Sequence, residues 1–186
     1  MTSVAPPAVE MLRISGLHAF YGESHILHGI DLMVNRGEVV TLLGRNGAGR
    51  TTTLKAILGL TGRRTGSVMM NGRETIGMAP HRIARLGIGY CPEERGIFAS
   101  LTAEENLLLL DEITEGLAPV IKQTLGQVIR ALREKGLTIV LVEQNFRFAA
   151  PLADRHYVIE HGRIVEQVDK ADLSSRMNTL HELLGV

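Results

Sequence analysis

A glycine-rich run at residues 44–51 is the part of the sequence whose residue types best fit a chemical role. It reads Gly-Arg-Asn-Gly-Ala-Gly-Arg-Thr and fits the phosphate-loop pattern G-x-x-x-x-G-K-[ST] at every position except the lysine. Glycines let backbone N–H groups converge on phosphate oxygens, and a helix that begins in such a loop points its positive end at the same anion. The run predicts a nucleotide site. The predicted contact residues are Gly44, Arg45, Asn46, Gly47, Ala48, Gly49, Arg50, Thr51 and Thr52.

The sequence makes more specific predictions for two residues of this loop. The hydroxyl of Thr51 is placed to bind Mg²⁺. Arg50 replaces the lysine of the pattern, and a planar, forked guanidinium is not a conservative exchange for a compact ammonium. We expect nucleotide binding to survive this exchange better than catalysis, which depends on accurate placement of the terminal phosphate. Without a ligand the run would be an ordinary strand-to-helix turn, but a predicted strand precedes it and a predicted helix follows it, as a phosphate loop requires.

A second group of candidate residues ends the apolar run at residues 107–110. Asp111 and Glu112 follow that run directly. Asp111 would hold Mg²⁺, and Glu112 would polarise an attacking water as the general base. Four leucines and two acids alone are more typical of a helix end with a solvated tip. The phosphate loop upstream favours the catalytic interpretation.

The elements that must position these residues alternate between strands and helices. Apolar runs bounded by turn residues predict strands at residues 12–14, 26–34, 39–43, 66–70, 88–91, 107–110, 138–142 and 156–159. Helices are predicted at residues 51–58 and 80–86, and from Pro119 to just before Gly136. Strands that alternate with helices imply crossover units and a mostly parallel sheet, so the sequence predicts an α/β fold.

Composition excludes several classes of protein. Lys plus Arg (20) balance Asp plus Glu (20), so no basic field indicates nucleic-acid binding. A single cysteine, Cys91, excludes an internal disulfide and is typical of a reducing compartment, and its strand context predicts a small buried side chain. No histidine has metal-ligand spacing, and His156 is expected at the surface or in a turn. Residues 1–10 predict a short disordered tail and not a signal peptide, which leaves residues 11–186 as one domain.

Three further motifs make the pattern specific. Residues 91–98 read Cys-Pro-Glu-Glu-Arg-Gly-Ile-Phe, residues 115–119 read Glu-Gly-Leu-Ala-Pro, and residues 142–145 read Val-Glu-Gln-Asn. With the phosphate loop and the Asp111-Glu112 pair, this series resembles the ATP-binding subunits of branched-chain amino-acid ABC importers, in the class with the shorter C-terminus. The resemblance extends from about Leu12 to the end of the chain.

The resemblance implies a P-loop NTPase (RecA-like) fold, with a mostly parallel sheet, flanking helices and an antiparallel β N-terminal part. It implies that ATP and Mg²⁺ bind, with Tyr21 stacking on adenine, Glu93 touching Mg²⁺ and Gln144 hydrogen-bonding the γ-phosphate. It also implies a second ATP-binding subunit, in a homo- or heterodimer, with residues 115–118 crossing the interface. Transmembrane permease subunits would hold the protein on the inner, cytoplasmic face of the cell membrane.

One family element is missing from the sequence. The family carries an L-S-G-G-Q signature on a helical subdomain between the phosphate loop and the Asp-Glu pair, and this signature contacts the nucleotide of the partner subunit. Here Arg50 and Asp111 are only 61 residues apart, and no Ser-Gly-Gly occurs in the chain. A segment on the order of 50 residues is absent, judged against the family length. The domain is therefore expected to be internally shortened near residues 106–110.

The sequence at the shortened point sends conflicting signals. Residues 102–105 read Thr-Ala-Glu-Glu, a capping box that predicts a helix start, yet Leu107 must already be strand. Thirteen residues lie between Glu93 and Leu107, and we expect them to carry the chain to the other edge of the sheet.

Several functional alternatives stay open from the sequence. The chain could hydrolyse ATP in a dimer on a permease, or it could hold nucleotide as a catalytically impaired binding module. It could also be a defective product of the internal deletion. The imported substrate could be a branched-chain amino acid, urea or an amide.

Overall fold

The structure, a computed structural model of the 186-residue chain, describes residues 9–92 and 106–185. The strands are β1 (Glu10–Tyr21), β2 (Ser24–Asn35), β3 (Val39–Leu43), β4 (Arg63–Met70), β5 (Arg73–Glu74), β6 (Ile88–Cys91), β7 (Leu107–Asp111), β8 (Thr138–Glu143), β9 (Arg155–Glu160) and β10 (Arg163–Asp169). The helices are α1 (Arg50–Ile57), α2 (Pro80–Ala84), α3 (Pro119–Glu134), α4 (Phe146–Ala149) and α5 (Leu173–Leu184), and a 3-10 turn, Lys170–Asp172, precedes α5.

The strands form two sheets. The first is antiparallel, with the order β2-β1-β4-β5. The second has the order β10-β9-β3-β8-β7-β6, and all of its pairs are parallel except β9 with β10. This arrangement confirms the predicted α/β fold, with a mostly parallel sheet and an antiparallel N-terminal part.

The central strands of the parallel sheet are buried on both faces. Every residue of β3, β7 and β8 is buried, which explains why these strands are continuous apolar runs without polar alternation. One core lies between the two sheets and takes in Leu54 and Ile57 of α1. A second core lies on the other face, where Ile129 of α3 and Leu180 of α5 pack. The two cores fix the strand ends that carry the candidate site.

Several expectations from the sequence need correction. The last strand was expected at residues 156–159, but β10 and α5 follow it. β6 lies directly beside β7, so the chain does not cross to the other edge of the sheet between them. His156 is fully buried in β9, not at the surface, and its Nδ1 lies 2.7 Å from Thr41 Oγ1.

The remaining expectations concern residues at or beyond the ends of the described ranges. Cys91 is buried, as predicted. Glu10 already pairs with Asn35 in β1, while residues 1–8 of the expected tail lie outside the described residues. Glu93 and the capping box at residues 102–105 also lie outside them.

Candidate functional site

The candidate residues meet because three neighbouring parallel strands end at one edge of the sheet. β3 leads into the phosphate loop, β7 ends at Asp111, and β8 ends at Glu143. β8 lies between β3 and β7 with all pairs parallel, so their carboxyl ends lie side by side. This edge of an open α/β sheet is where such folds bind ligands.

A cavity of about 430 Å³ lies at this edge. Its walls come from both sheets, since Tyr21 and Ile26 belong to β1 and β2 while the phosphate loop follows β3. The lining residues are Tyr21, Ile26, Asn46, Gly47, Gly49, Arg50, Thr51, Thr52, Glu112 and Glu115. The structure therefore brings Tyr21, six of the nine predicted loop residues and Glu112 to one cavity.

The N-terminus of α1 opens into this cavity. Its N-cap residue, Gly49, has φ +110°, no side chain caps the helix, and the first turn contains no acidic residue. The first N–H groups of a helix lack intrahelical partners, so an uncapped N-terminus attracts an anion. Gly47 has φ +78°, and a Cβ built there meets no atom within 4 Å, so the backbone at this point is open to a ligand.

The other side of the loop packs against the C-terminal part of the chain. A Cβ on Gly44 would lie 2.5 Å from the Ile159 carbonyl oxygen, and the Ala48 carbonyl accepts a hydrogen bond from the Gly162 N–H at 2.8 Å. Arg45 Nε and Nη2 donate to the carbonyl oxygens of Leu183 and Glu182 in α5, each at 3.2 Å. Gly44, Arg45 and Ala48 thus hold the loop in place and do not line the 430 Å³ cavity.

Arg50 is buried at the centre of the site, with 4% of its surface exposed. Its Nη2 donates to Asn46 Oδ1 at 3.0 Å and forms an ion pair with the Glu112 carboxylate. Its Nη1 is buried without a hydrogen-bond partner. A buried unsatisfied donor on a charged group is costly, so the protein partners of Arg50 do not fully satisfy its guanidinium.

Asp111 and Thr51 are hydrogen-bonded to each other beside Arg50. Thr51 Oγ1 donates to Asp111 Oδ1 at 3.0 Å, and the Tyr90 hydroxyl lies 3.4 Å from Asp111 Oδ2. Burial raises the pKa of Asp111, although the hydrogen bonds from Thr51 and Tyr90 oppose the shift. A fully buried carboxylate next to a hydroxyl is a favourable place for a small divalent cation.

Glu112 differs from its neighbours in backbone conformation. Its φ is +48°, in the left-handed region that residues with a Cβ rarely adopt, and such strain is frequent at functional sites. Burial raises the pKa of its carboxyl, against the lowering effect of Arg50. A carboxylate with a raised pKa suits a general base, but this one is engaged by the guanidinium.

Gln144 lies in an adjoining cavity of about 260 Å³. Glu112 and Glu115 line both cavities, so Gln144 and the phosphate loop lie on either side of Glu112. The sequence did not single out Glu143, which precedes Gln144 and is buried here with Thr114. An acidic residue at the end of a fully apolar strand was the available signal.

The fold and the site together define a P-loop nucleotide-binding domain. Comparison with known proteins makes the assignment specific. The sequence profile of the family described as "ABC transporter" matches residues 27–179, which is most of the chain. The chain belongs to this family, as an ATP-binding subunit. Binding of nucleotide is typical of the family, and its ATP-binding subunits dimerise and work with transmembrane permease subunits.

Two relatives have names that concern branched-chain amino acids. The high-affinity branched-chain amino acid transport ATP-binding protein BraG of Pseudomonas aeruginosa is 34% identical over 232 residues, covering 94% of this chain and 100% of BraG. The probable branched-chain amino acid transport ATP-binding protein LivF of Archaeoglobus fulgidus is 30% identical, covering 83% of this chain and 90% of LivF. The 232 aligned positions exceed the 186 residues of this chain, so part of BraG has no counterpart. This gap agrees with the predicted loss of the helical subdomain and its signature.

A solved structure supports the fold alone. The ADP conformation of an ATP-binding cassette of an ABC transporter superposes with a TM-score of 0.81 at 16% identity, covering 95% of this chain and 98% of that one. None of the helices in the two described ranges has the length and apolarity that crossing a bilayer requires.

Proposed function

We propose that the chain binds ATP with Mg²⁺ in the 430 Å³ cavity, as the ATP-binding subunit of an importer of branched-chain amino acids. One observation carries the binding proposal: the uncapped N-terminus of α1, which has no acidic residue in its first turn, opens into this cavity beside the buried Arg50. The names of BraG and LivF support the substrate class. The domain proposed for this role is residues 11–186.

In this proposal each part of the site has a separate role. Tyr21, which is 42% exposed and lines the cavity, stacks on the adenine ring. The loop from Gly44 to Thr52 holds the phosphates through backbone N–H groups of its cavity-lining residues, while Gly44, Arg45 and Ala48 hold the loop in place. Glu112 orients the attacking water, and Gln144 hydrogen-bonds the γ-phosphate.

Mg²⁺ would be held by Thr51 and Asp111, with Glu93 as a further ligand outside the described residues. Within the described part of the chain, no group of three or more His, Cys, Asp or Glu side chains is arranged to hold a metal ion. Mg²⁺ in phosphate sites needs only one or two carboxylates, because substrate phosphates and waters complete its six oxygen ligands. The Thr51–Asp111 pair meets that requirement. When bound, Mg²⁺ neutralises the charge that develops on the transferring phosphate.

A second candidate function is a nucleotide-binding module that does not turn over by itself. The ion pair between Arg50 and Glu112 favours it, because Glu112 cannot orient water while it is held by the guanidinium. The absence of Ser-Gly-Gly from the sequence also favours it, because a homodimer would have no signature to close either site. The partner that completes a site is then a full-length ATP-binding subunit, on permease subunits at the cytoplasmic face of the membrane.

Isothermal titration with Mg·ATP tests nucleotide binding. Gly47→Asp places a negative charge in the loop, and aspartate tolerates the left-handed backbone better than most residues. Gly72→Asp is a matched control, because Gly72 has φ +76° in the turn between β4 and β5 and equally open surroundings. We expect Gly47→Asp to raise the Kd by about 100-fold, on the order of 3 kcal/mol, and Gly72→Asp to leave it unchanged. Equal affinity in the two variants would place the nucleotide elsewhere.

A further inference from the structure

The carboxylate of Glu143 is the point at which two loops of the site meet. Glu143 ends β8 and is 2% exposed. Its Oε1 accepts the Thr114 backbone N–H at 3.1 Å, and its Oε2 accepts the Thr114 hydroxyl at 2.8 Å. Glu143 directly precedes Gln144 in the sequence. Its carboxylate thus ties the end of β8, where the Gln144 loop begins, to Thr114 in the loop after β7.

These two loops carry the groups that face the terminal phosphate in the proposed function. Thr114 lies two residues after Glu112, and Asn145 directly follows Gln144. All of these side chains line the 260 Å³ cavity, together with Glu115 and Lys122. A shift of either loop would therefore change the distance between Glu112 and Gln144.

We propose that Glu143 is a positioning residue that holds the Gln144 loop against the loop after β7, so that Gln144 reaches the γ-phosphate of ATP. This inference rests on the proposed nucleotide site. Glu143 does not touch the nucleotide, and its effect passes through Thr114 and through the start of the Gln144 loop, which Glu143 directly precedes. Because ADP lacks the γ-phosphate, the position of Gln144 matters for ATP and not for ADP.

The charge state of Glu143 agrees with this role. Burial, together with a smaller effect of Glu112, raises the pKa of Glu143 to about 6, although the hydrogen bonds from Thr114 oppose the shift. Glu115 and Lys122 are the other charged groups at the same cavity. At pH 7.5 the carboxylate is ionised, and hydrogen bonds to an ionised acceptor are the stronger kind.

The experiment compares Mg·ATP and Mg·ADP binding at pH 7.5 in the full chain, by isothermal titration. Glu143→Gln replaces one acceptor oxygen by an NH₂ group, and Thr114→Val removes the hydroxyl donor. We expect each to raise the Kd for Mg·ATP about tenfold, as for the loss of one good hydrogen bond, and to leave the Kd for Mg·ADP unchanged. Thr114→Ser keeps the hydroxyl and should restore the wild-type Kd for Mg·ATP.

A double variant and a matched control separate positioning from general weakening of the fold. The effects of Glu143→Gln and Thr114→Val on Mg·ATP binding should be less than additive in the double variant, because both changes alter the hydrogen bond between the Thr114 hydroxyl and Glu143. Thr138→Val is the matched control, because it removes a buried hydroxyl on β8 that accepts the Gly37 N–H. This change should alter neither Kd.

Two outcomes would overturn the inference, and they are distinguishable. If the wild-type chain binds neither nucleotide, the proposed function fails and the inference fails with it. If the wild-type chain binds Mg·ATP but Glu143→Gln and Thr114→Val leave its Kd unchanged, or weaken ATP and ADP equally, only the positioning role is wrong.

Discussion

Arg50 is buried together with its charge, and such an arginine needs partners because an isolated interior charge is very costly. Asn46 and the Glu112 carboxylate both engage Nη2, while Nη1 has no hydrogen-bond partner. In the proposed function, a nucleotide phosphate and Glu112 would compete for this guanidinium. A lysine at this position would not compete in the same way. The planar guanidinium of arginine can bridge two acceptors, whereas a lysine ammonium would not hold both in the same geometry.

Arg50→Lys is expected to strengthen Mg·ATP binding about tenfold. The ammonium would be freer to leave Glu112 and meet the phosphates. Equilibrium titration measures the effect, with Arg73→Lys, an exposed arginine on β5, as the control. Weaker binding in Arg50→Lys would mean instead that the loop is shaped around the guanidinium.

The sequence points to some residues that line the cavity but not to others that lie beside it, for a physical reason. Gly47, Gly49 and Thr51 stand out because the phosphate loop fixes both residue type and spacing. Tyr90 does not, because β6 is almost wholly buried and its apolar run has no period that tells which side a residue faces.

At the scale of elements, β3, α1, β7 and β8 were predicted to within one residue at each end, but β1 extends seven residues beyond the predicted 12–14. β10 and α5 were missed because each buries little. β10 is exposed along most of its length, and α5 buries only Leu180 and Leu184. Weak burial leaves a weak hydrophobic period, so pattern alone could not separate these elements from loops.

Nevertheless α5 is attached to the site through Arg45. The guanidinium donates to two carbonyls at the C-terminal end of α5, where unpaired carbonyls and the helix dipole both favour a cation. The sequence placed Arg45 among the phosphate contacts, and nothing local could reveal that it faces a helix more than 130 residues further along the chain.

Arg45→Ala is expected to loosen α5 and to lower the free energy of unfolding by about 1–2 kcal/mol, the usual effect of losing charged hydrogen bonds to a helix end. Amide hydrogen exchange should become faster in α5 and stay unchanged in β3. Arg176→Ala is the matched control, because this arginine lies on the same helix and is exposed. Unchanged exchange in α5 with Arg45→Ala would contradict the link.

At the scale of the whole molecule, the sequence predicted the missing segment because the motifs on both sides of it are intact. The structure gives the physical reason why the candidate site keeps its geometry without the missing segment. Every parallel pair from β9 to β6 is present, so the strand ends that carry Asp111 and Glu143 keep their places beside the phosphate loop. The sheet, and not the absent subdomain, positions this half of the site.

In the proposed function, the other half of a catalytic site comes from a partner. By the family resemblance, each nucleotide lies between one subunit's phosphate loop and the partner's signature, whose donors stabilise charge on the γ-phosphate. Loss of even one such donor can reduce a rate by ~10²–10³. We expect the pure chain to show no steady-state phosphate release near the ~1 s⁻¹ at the low end of typical enzyme turnover.

A mixture with an intact homologous subunit should restore turnover at one site. If the catalytic glutamate of that partner is first replaced by glutamine, only the nucleotide on this chain's phosphate loop can be hydrolysed. Phosphate release should then appear in the mixture and disappear when Glu112→Gln is introduced here, because Glu112 is the proposed base. Release by the pure chain that also depends on Glu112 would show that another element replaces the signature. No release from the mixture, with ATP bound, would instead favour the binding module, in which Arg50 keeps Glu112 from the water.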